Sequence, residues 1–270
     1  MKLLPLWTLF LLMTIAVACN NPDANGNGTD TGNGTPVTPL LNYSVVKIHP
    51  HDTTSFVEGL EFHDGTLFEG TGSPAEFDYP SWLGKIDLNT GKLQHLVTLD
   101  TQYFGEGITI FNGKLYQLTW TSKKCFVYDV KTLKKVQELT YNTEGWGMTH
   151  DSTAIIMGDG SSNLYYMDPA TFRNTKILGV TDNNGPVSNL NELEYIDGFI
   201  YANLWQTPYI VKIDPASGKV VAKMNMDSMV YEVDNKYKGH DYLNGIAYNP
   251  ATKTIFITGK RWPSMYEIKF

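Results

Sequence analysis

From about residue 43 onward, apolar and polar positions alternate in short runs separated by Asn, Asp and Gly. A period of two puts successive side chains on opposite faces of an extended segment, so these runs predict strands. The runs also recur in order. One segment reads Gly59-Leu60-Glu61-Phe62-His63-Asp64-Gly65-Thr66-Leu67-Phe68 and the next Gly107-Ile108-Thr109-Ile110-Phe111-Asn112-Gly113-Lys114-Leu115-Tyr116. Related segments begin at Gly147, Glu192 and Gly245. Each has the form strand, tight turn, strand, which is a hairpin signal. A second shared element follows, as in Lys85-Ile86-Asp87-Leu88-Asn89-Thr90-Gly91 and Lys212-Ile213-Asp214-Pro215-Ala216-Ser217-Gly218, and supplies a third strand, a turn and a fourth strand. The equivalent positions Leu60, Ile108, Met148, Leu193 and Ile246 are spaced by 48, 40, 45 and 53 residues. Four strands in a unit of this length make a propeller blade, so the predicted fold is all-β, a five-bladed β-propeller. No amphipathic helix of three turns is visible.

The fifth unit reaches only its third strand, Met265 to Phe270, while Tyr43 to Ile48 has no partner of its own. This N-terminal strand is therefore expected to complete the last blade as its outer strand, which removes an unpaired edge and closes the ring. Hairpin geometry also sorts the loops. The start of a blade's first strand and the end of its second lie on one face of the propeller. The loops on that face hold Phe56, Glu58, Tyr103, Phe104, Glu106, Glu144, Trp146, Asn191 and Asn244 before first strands. They hold Trp120, Asp159, Trp205, Lys260 and Trp262 after second strands. A tryptophan between blades often serves packing, and a glutamate in a tight loop often caps backbone N–H groups. The gathering of so many on one face favours a ligand pocket, an aromatic cup with a few convergent polar groups. A carboxyl group in such a cup gains a raised pKa and can serve as a general acid.

Composition narrows the chemistry. The net charge of −7 argues against a nucleic-acid partner, which requires a basic patch. The two cysteines, Cys19 and Cys125, exclude a cysteine-based zinc site, and Cys125 lies in an apolar strand pattern that suits a buried, inert thiol. The six histidines are scattered without the partners of a zinc site, so the metal expectation is none. No Gly-x-Ser-x-Gly elbow occurs, and Gly70-Thr71-Gly72 has no following helix to make a phosphate cradle.

The N-terminal segment follows a different pattern. Lys2 precedes an apolar run from Leu3 to Val17, and Ala16-Val17-Ala18 has the small residues of an export cleavage site, so residues 1–18 read as a signal peptide. Ala18 followed by Cys19 resembles a bacterial lipobox, in which the cysteine carries lipid; a plain secretory signal is the alternative. Residues 19–41 are rich in Asn, Gly, Thr, Asp and Pro and read as a flexible tether, with the propeller domain at 42–270. The expected location is the periplasm or the outer membrane, with a lipid anchor to the membrane. Asn20, in place of the Asp that marks inner-membrane retention, favours the outer membrane. A monomer is expected.

Several ordered motifs carry a resemblance: Gly105-Glu106-Gly107-Ile108-Thr109, Glu144-Gly145-Trp146-Gly147, Leu190-Asn191-Glu192-Leu193, Ala202-Asn203-Leu204-Trp205, Leu243-Asn244-Gly245-Ile246 and Thr258-Gly259-Lys260-Arg261-Trp262-Pro263. From about Phe56 to Phe270 the chain resembles the plant-type and bacterial glutaminyl-peptide cyclotransferases. The resemblance implies a five-bladed propeller that converts N-terminal glutaminyl residues of peptides or proteins to pyroglutamyl with release of ammonia. It implies no cofactor for catalysis, and a structural metal ion in the central channel is left open. Glu106 would be the proton donor and acceptor, and Lys260 and Asn191 its polar partners in catalysis. Phe56, Glu58, Phe104, Trp120, Glu144, Trp146 and Trp205 would bind substrate. The chain departs from the family at Glu58, where Gln is usual; a carboxylate there would either bind the substrate's amine more strongly or disturb the charge of Glu106. A propeller that binds a peptide or glycan without catalysis is the competing reading. A propeller lyase is a weaker one, because no histidine falls in the motif loops.

Overall fold

The computed structural model describes residues 37–270. The expected signal peptide, Cys19 and most of the expected tether lie outside these residues. In the described part, β1 (Ser44–Pro50) precedes a first blade of β2 (Val57–His63), β3 (Thr66–Thr71), β4 (Trp82–Ile86) and β5 (Leu93–Thr98). The second blade holds β6 (Gly105–Phe111), β7 (Lys114–Thr119), β8 (Lys124–Asp129) and β9 (Lys135–Thr140). The third holds β10 (Met148–His150), β11 (Ile155–Gly158), β12 (Asn163–Met167) and β13 (Asn174–Gly179). A small hairpin of β14 (Thr181–Asp182) and β15 (Gly185–Pro186) follows. The fourth blade is β16 (Leu190–Ile196), β17 (Phe199–Leu204), β18 (Tyr209–Ile213) and β19 (Val220–Asn225). After α1 (Asp227–Lys236), the fifth contributes β20 (Leu243–Asn249), β21 (Thr254–Gly259) and β22 (Ser264–Lys269).

The ring closes as expected. β1 pairs antiparallel with β22 from Ser44 opposite Lys269 to Pro50 opposite Ser264, so the last sheet has the order β1-β22-β21-β20. The chain meets the domain slightly earlier. The Leu41 N–H donates to the Lys223 carbonyl at 2.9 Å, and the Lys223 N–H donates to the Pro39 carbonyl at 2.9 Å.

Local chemistry explains the hairpins. Asp64-Gly65, Asn112-Gly113 and Asp197-Gly198 all have positive φ at both positions, the conformation of the tight turn whose twist matches two paired strands. The turns between third and fourth strands use an aspartate instead: Asp87, Asp129, Asp168 and Asp214 each accept a backbone N–H two or three residues on, at 2.8 to 3.0 Å.

Period-two alternation places the two faces of each blade against different neighbours. Leu115, Phe126 and Tyr128 pack with Phe68 and Leu83 of the first blade, whereas Tyr116, Leu118, Cys125 and Val127 pack with Met148, Ile155 and Met157 of the third. Cys125 is fully buried, and burial pushes its thiol well above the usual range. Corresponding clusters fill the other three seams. At this spacing the innermost strands approach closely: a Cβ on Gly107 would lie 2.6 Å from the backbone nitrogen of Met148 in the next blade. The helix α1 was not expected. It is ten residues long, short of three turns, and its buried positions Met229 and Val233, one helical repeat apart, join the seam between the fourth and fifth blades.

Carboxyl groups bridge the blades near the axis. Glu192 accepts the N–H of Leu60 at 3.0 Å and that of Ile246 at 2.9 Å, joining the fourth blade to the first and fifth. Glu194 accepts the N–H of Tyr248 at 2.7 Å, and Glu61 accepts the hydroxyl of Thr109 at 3.0 Å. Burial raises all three pKa values, that of Glu61 to about 8. Such groups hold their protons more tightly folded than unfolded, so the stability they contribute is lost as pH rises from the ordinary range through the raised value. His51 acts in the same direction. Burial alone would lower its pKa, but Glu69, whose Oε2 lies 2.7 Å from its Nε2, turns the shift upward. The melting temperature is therefore expected to be higher at pH 5 than at pH 8, with Glu61→Gln reducing the difference. A scanning fluorimetry series in which stability rises across that interval contradicts this assignment.

Candidate functional site

Four of the five innermost strands open on a break in register. The breaks fall between Val57 and Gly59, Gly105 and Ile108, Leu190 and Leu193, and Leu243 and Ile246. A bulge of this kind re-aims a side chain that would otherwise alternate with the pleat. The residues in the breaks include Glu58, Glu106, Asn191 and Asn244, and all four are buried. One structural device, repeated around the axis, thus supplies most of the polar groups picked out from the sequence.

Lys260, immediately after β21, completes the group. Its Nζ donates to Glu58 Oε1 at 2.6 Å, and the two side chains are almost fully buried. Asn244 Nδ2 donates to Glu58 Oε2 at 3.3 Å and to the Val57 carbonyl at 2.9 Å. Glu58 and Glu106 lie close enough for each to influence the other's ionisation. Burial pushes Glu58 up to about 6, against the pull of Lys260. Glu106 is raised well above the usual range, first by burial and then by the charge of Glu58, with Glu144 adding to the effect. A carboxyl raised by burial and by a neighbouring negative charge holds its proton more readily and is suited to act as an acid.

The aromatic residues form a wall around this group. Phe56 meets Phe104 edge-on at 6.3 Å between ring centroids, and Phe104 meets Trp120 at 5.8 Å. Trp146 meets Trp205 at 5.4 Å, and Trp205 meets Tyr242 at 6.1 Å. Glu144 joins the two halves, because its Oε2 accepts the indole N–H of Trp120 at 2.8 Å and of Trp146 at 3.0 Å. Lys260 Nζ lies 4.7 Å from the Phe56 ring centroid, within cation–π range. Gly160 has a φ of +78°, and a Cβ there would meet the Trp146 ring at 2.6 Å, so only glycine leaves that ring its place. Trp120 is 42% exposed. Beyond Tyr242 the rim continues into a groove of about 410 Å³ beside α1, lined by Pro208, Val230, His240 and Asp241 among others.

The structure therefore brings Phe56, Glu58, Phe104, Glu106, Trp120, Glu144, Trp146, Trp205 and Lys260 together. Asn191 occupies the equivalent bulge of the fourth blade, and its Oδ1 is buried without a hydrogen-bond partner. Trp262, expected on the same face, is instead part of the core: it is fully buried among Ile257, Tyr266 and Met229, and its indole N–H donates to the Asp241 carbonyl at 3.0 Å. The left-handed turn at Arg261 comes between Lys260 and Trp262. Tyr242 was not foreseen in the wall, although it directly precedes the Leu243-Asn244 motif. Among the described residues, no group of three or more His, Cys, Asp and Glu side chains is arranged to hold a metal ion.

A family model described as glutamine cyclotransferase matches residues 11–270. The chain belongs to the glutamine cyclotransferase family. It is 36% identical over 249 residues to a glutaminyl-peptide cyclotransferase of Arabidopsis thaliana, a match that covers 91% of this chain and 77% of that protein. The crystal structure of a glutaminyl cyclase from Myxococcus xanthus matches with a TM-score of 0.76 at 31% identity, over 84% of this chain and 95% of that one. In this member of the family, the Glu144 clamp can be tested directly. Glu144→Ala leaves two indole N–H groups without their acceptor; hydrogen bonds to charged groups are worth about 1.5–3 kcal/mol each, less where exposed. A loss of about 1–3 kcal/mol on chemical denaturation is expected, with a shift in tryptophan emission. An unchanged spectrum and midpoint contradict the clamp.

Proposed function

We propose that this protein is a glutaminyl-peptide cyclotransferase that converts an N-terminal glutaminyl residue to pyroglutamyl and releases ammonia, with Glu106 as the group that gives and takes the proton. The observation that carries this reading is the position of Glu106: a buried carboxyl with a raised pKa, in a bulge of its innermost strand as Glu58 is, within electrostatic reach of the Glu58–Lys260 pair and beside the aromatic wall. In the reaction the substrate's α-amine attacks its own side-chain amide carbon to close a five-membered ring. Enclosure of the glutaminyl side chain by Phe56, Phe104, Trp120, Trp146 and Trp205 would hold the two groups in reacting distance and exclude water. The amide oxygen gathers negative charge in the tetrahedral intermediate, and Lys260 is the cation available to stabilise it. The unpaired Asn191 Oδ1 is free to accept a hydrogen bond from a substrate N–H. Ammonia leaves only from a protonated nitrogen, which Glu106 supplies. The groove beside Tyr242 offers room for the residues that follow the glutamine. None of these steps calls on a metal ion.

The setting we propose is the bacterial envelope, with Cys19 as a lipid anchor; incorporation of labelled fatty acid by the full chain but not by its Cys19→Ser variant tests that part. The activity is tested by incubating the purified protein with a Gln-initiated peptide and measuring ammonia. Release that persists in the presence of a chelator and disappears with an N-acetylated peptide is expected. Glu106→Gln is expected to lower kcat by about 10²–10⁴-fold, the usual contribution of a positioned acid–base group. Full turnover by the variant contradicts the role of Glu106, and peptide binding without ammonia release supports a non-catalytic binding propeller.

A further inference from the structure

We infer that the groove beside α1 is a subsite for a lysine or arginine placed one or two residues after the N-terminal glutamine, so that the protein selects basic peptides. This rests on the functional reading above and names the substrate class within it. The groove is continuous with the site. Trp205 belongs to the aromatic wall, and Tyr242 belongs to both wall and groove. The backbone joins them as well: the Asp241 N–H donates to the Lys260 carbonyl and the Lys260 N–H to the Tyr242 carbonyl, each at 2.9 Å. The 6.1 Å step from the Trp205 ring to the Tyr242 ring is about two residues of extended chain, which rises about 3.3 Å per residue. A peptide whose glutamine sits inside the wall thus meets the groove with the residues that follow.

The walls of the groove are fixed. The Met226 N–H donates to the Pro208 carbonyl at 2.8 Å, which joins the start of α1 to the segment after β17. The Trp262 indole N–H holds the Asp241 carbonyl at 3.0 Å. Pro208, Val230 and Leu243 give an apolar lining, and the Tyr242 side chain is partly exposed beside them. Such a surface takes the methylene stem of a long side chain while its polar head stays near water.

The charges select that side chain. Asp227 and Asp241 are the carboxylates of the lining, and no lysine or arginine lines it among the described residues. Their hydrogen-bond partners are neutral: Asp227 Oδ2 accepts the Asn225 amide N–H at 2.9 Å, and Asp241 Oδ1 accepts the Tyr242 N–H at 2.7 Å. Neighbouring carboxylates differ, since Glu58 is matched by Lys260 at 2.6 Å and Asp234 by Lys238 at 2.8 Å. His240, also in the lining, has its Nε2 3.3 Å from Asp234 Oδ1. The groove thus keeps two negative charges beside an apolar surface. A lysine or arginine supplies both a stem and a cation, and its head group over the Tyr242 ring would gain a cation–π contact. A glutamate there would meet two like charges.

The test compares ammonia release from Gln-initiated peptides that carry lysine, norleucine or glutamate at the first or second position after the glutamine. Norleucine keeps the stem and lacks the charge. At low salt, kcat/KM for the better lysine peptide is expected to exceed that of its norleucine counterpart about three- to tenfold, as partly exposed charge pairs allow, with glutamate poorest. The difference should lie in KM, since the groove binds substrate and transition state alike, and shrink at about 0.5 M salt. Asp227→Asn should lower the lysine-to-norleucine ratio, and Asp227→Lys should bring it to one or below, with melting curves to check that both fold. Asp227 is chosen because Asp241 lies within electrostatic reach of Glu58. A wild-type ratio near one at both positions, or a ratio that Asp227→Lys leaves unchanged, overturns the inference while ammonia release upholds the functional reading. If no peptide yields ammonia, that reading fails, and the ratio of Kd values from tryptophan emission still decides the groove. A lysine preference abolished by Asp227→Lys then supports it, and equal affinities overturn it.

Discussion

The buried contact between Lys260 and Glu58 is where ring closure and chemistry meet. The two residues are 202 positions apart and belong to the last and first blades, so the contact exists only once the ring has closed. β1 holds the outer edge of that seam through its pairing with β22, and Lys260 holds the inner edge. An ion pair removed from water contributes less than its attraction suggests, because both groups lose hydration, yet removal of one partner leaves an uncompensated charge and costs about 3–5 kcal/mol. The seam therefore tolerates the pair only as a unit, and the site depends on the same unit.

Polar groups near the axis follow a wider rule. Five strands that converge at a centre leave backbone donors that no ladder can satisfy, and burial of a donor without a partner is costly. Glu192 and Glu194 meet this demand by accepting backbone N–H groups of other blades. Next to them, the bulges present Glu58, whose partners are the Lys260 and Asn244 side chains, and Glu106. A scaffold already built to hold buried carboxyls at its centre thus needs little change to present two of them to a ligand.

Most of the architecture could be read from the sequence because its determinants are local. Period-two runs, Asp-Gly and Asn-Gly turns and the repeated aspartate turns each act over a few residues, and their recurrence fixed the number of blades. The unpaired strand at Tyr43 to Ile48 pointed to the closure. Hairpin geometry placed Trp120, Trp146 and Trp205 on one face without any knowledge of contacts. What was missed depends on contacts between distant segments or on a single turn. Trp262 sits two residues from Lys260, but the left-handed Arg261 lies between them, and it packs in the core. Glu144 looked like a substrate contact, and its observed partners are two indoles on either side of it in sequence. The pairing of Lys260 with Glu58 needed the closed ring. α1 escaped notice because only Met229 and Val233 mark its buried side.

The most direct measurement of the central claim is a double-mutant cycle at the seam. Denaturation of Glu58→Gln, Lys260→Met and the double variant reports whether the two residues act as one unit. The expected result is a large loss for Lys260→Met that is substantially recovered when Glu58→Gln is added, with no recovery of ammonia release. Losses that simply add, with a coupling energy near zero, would show that the seam and the site do not depend on this pair.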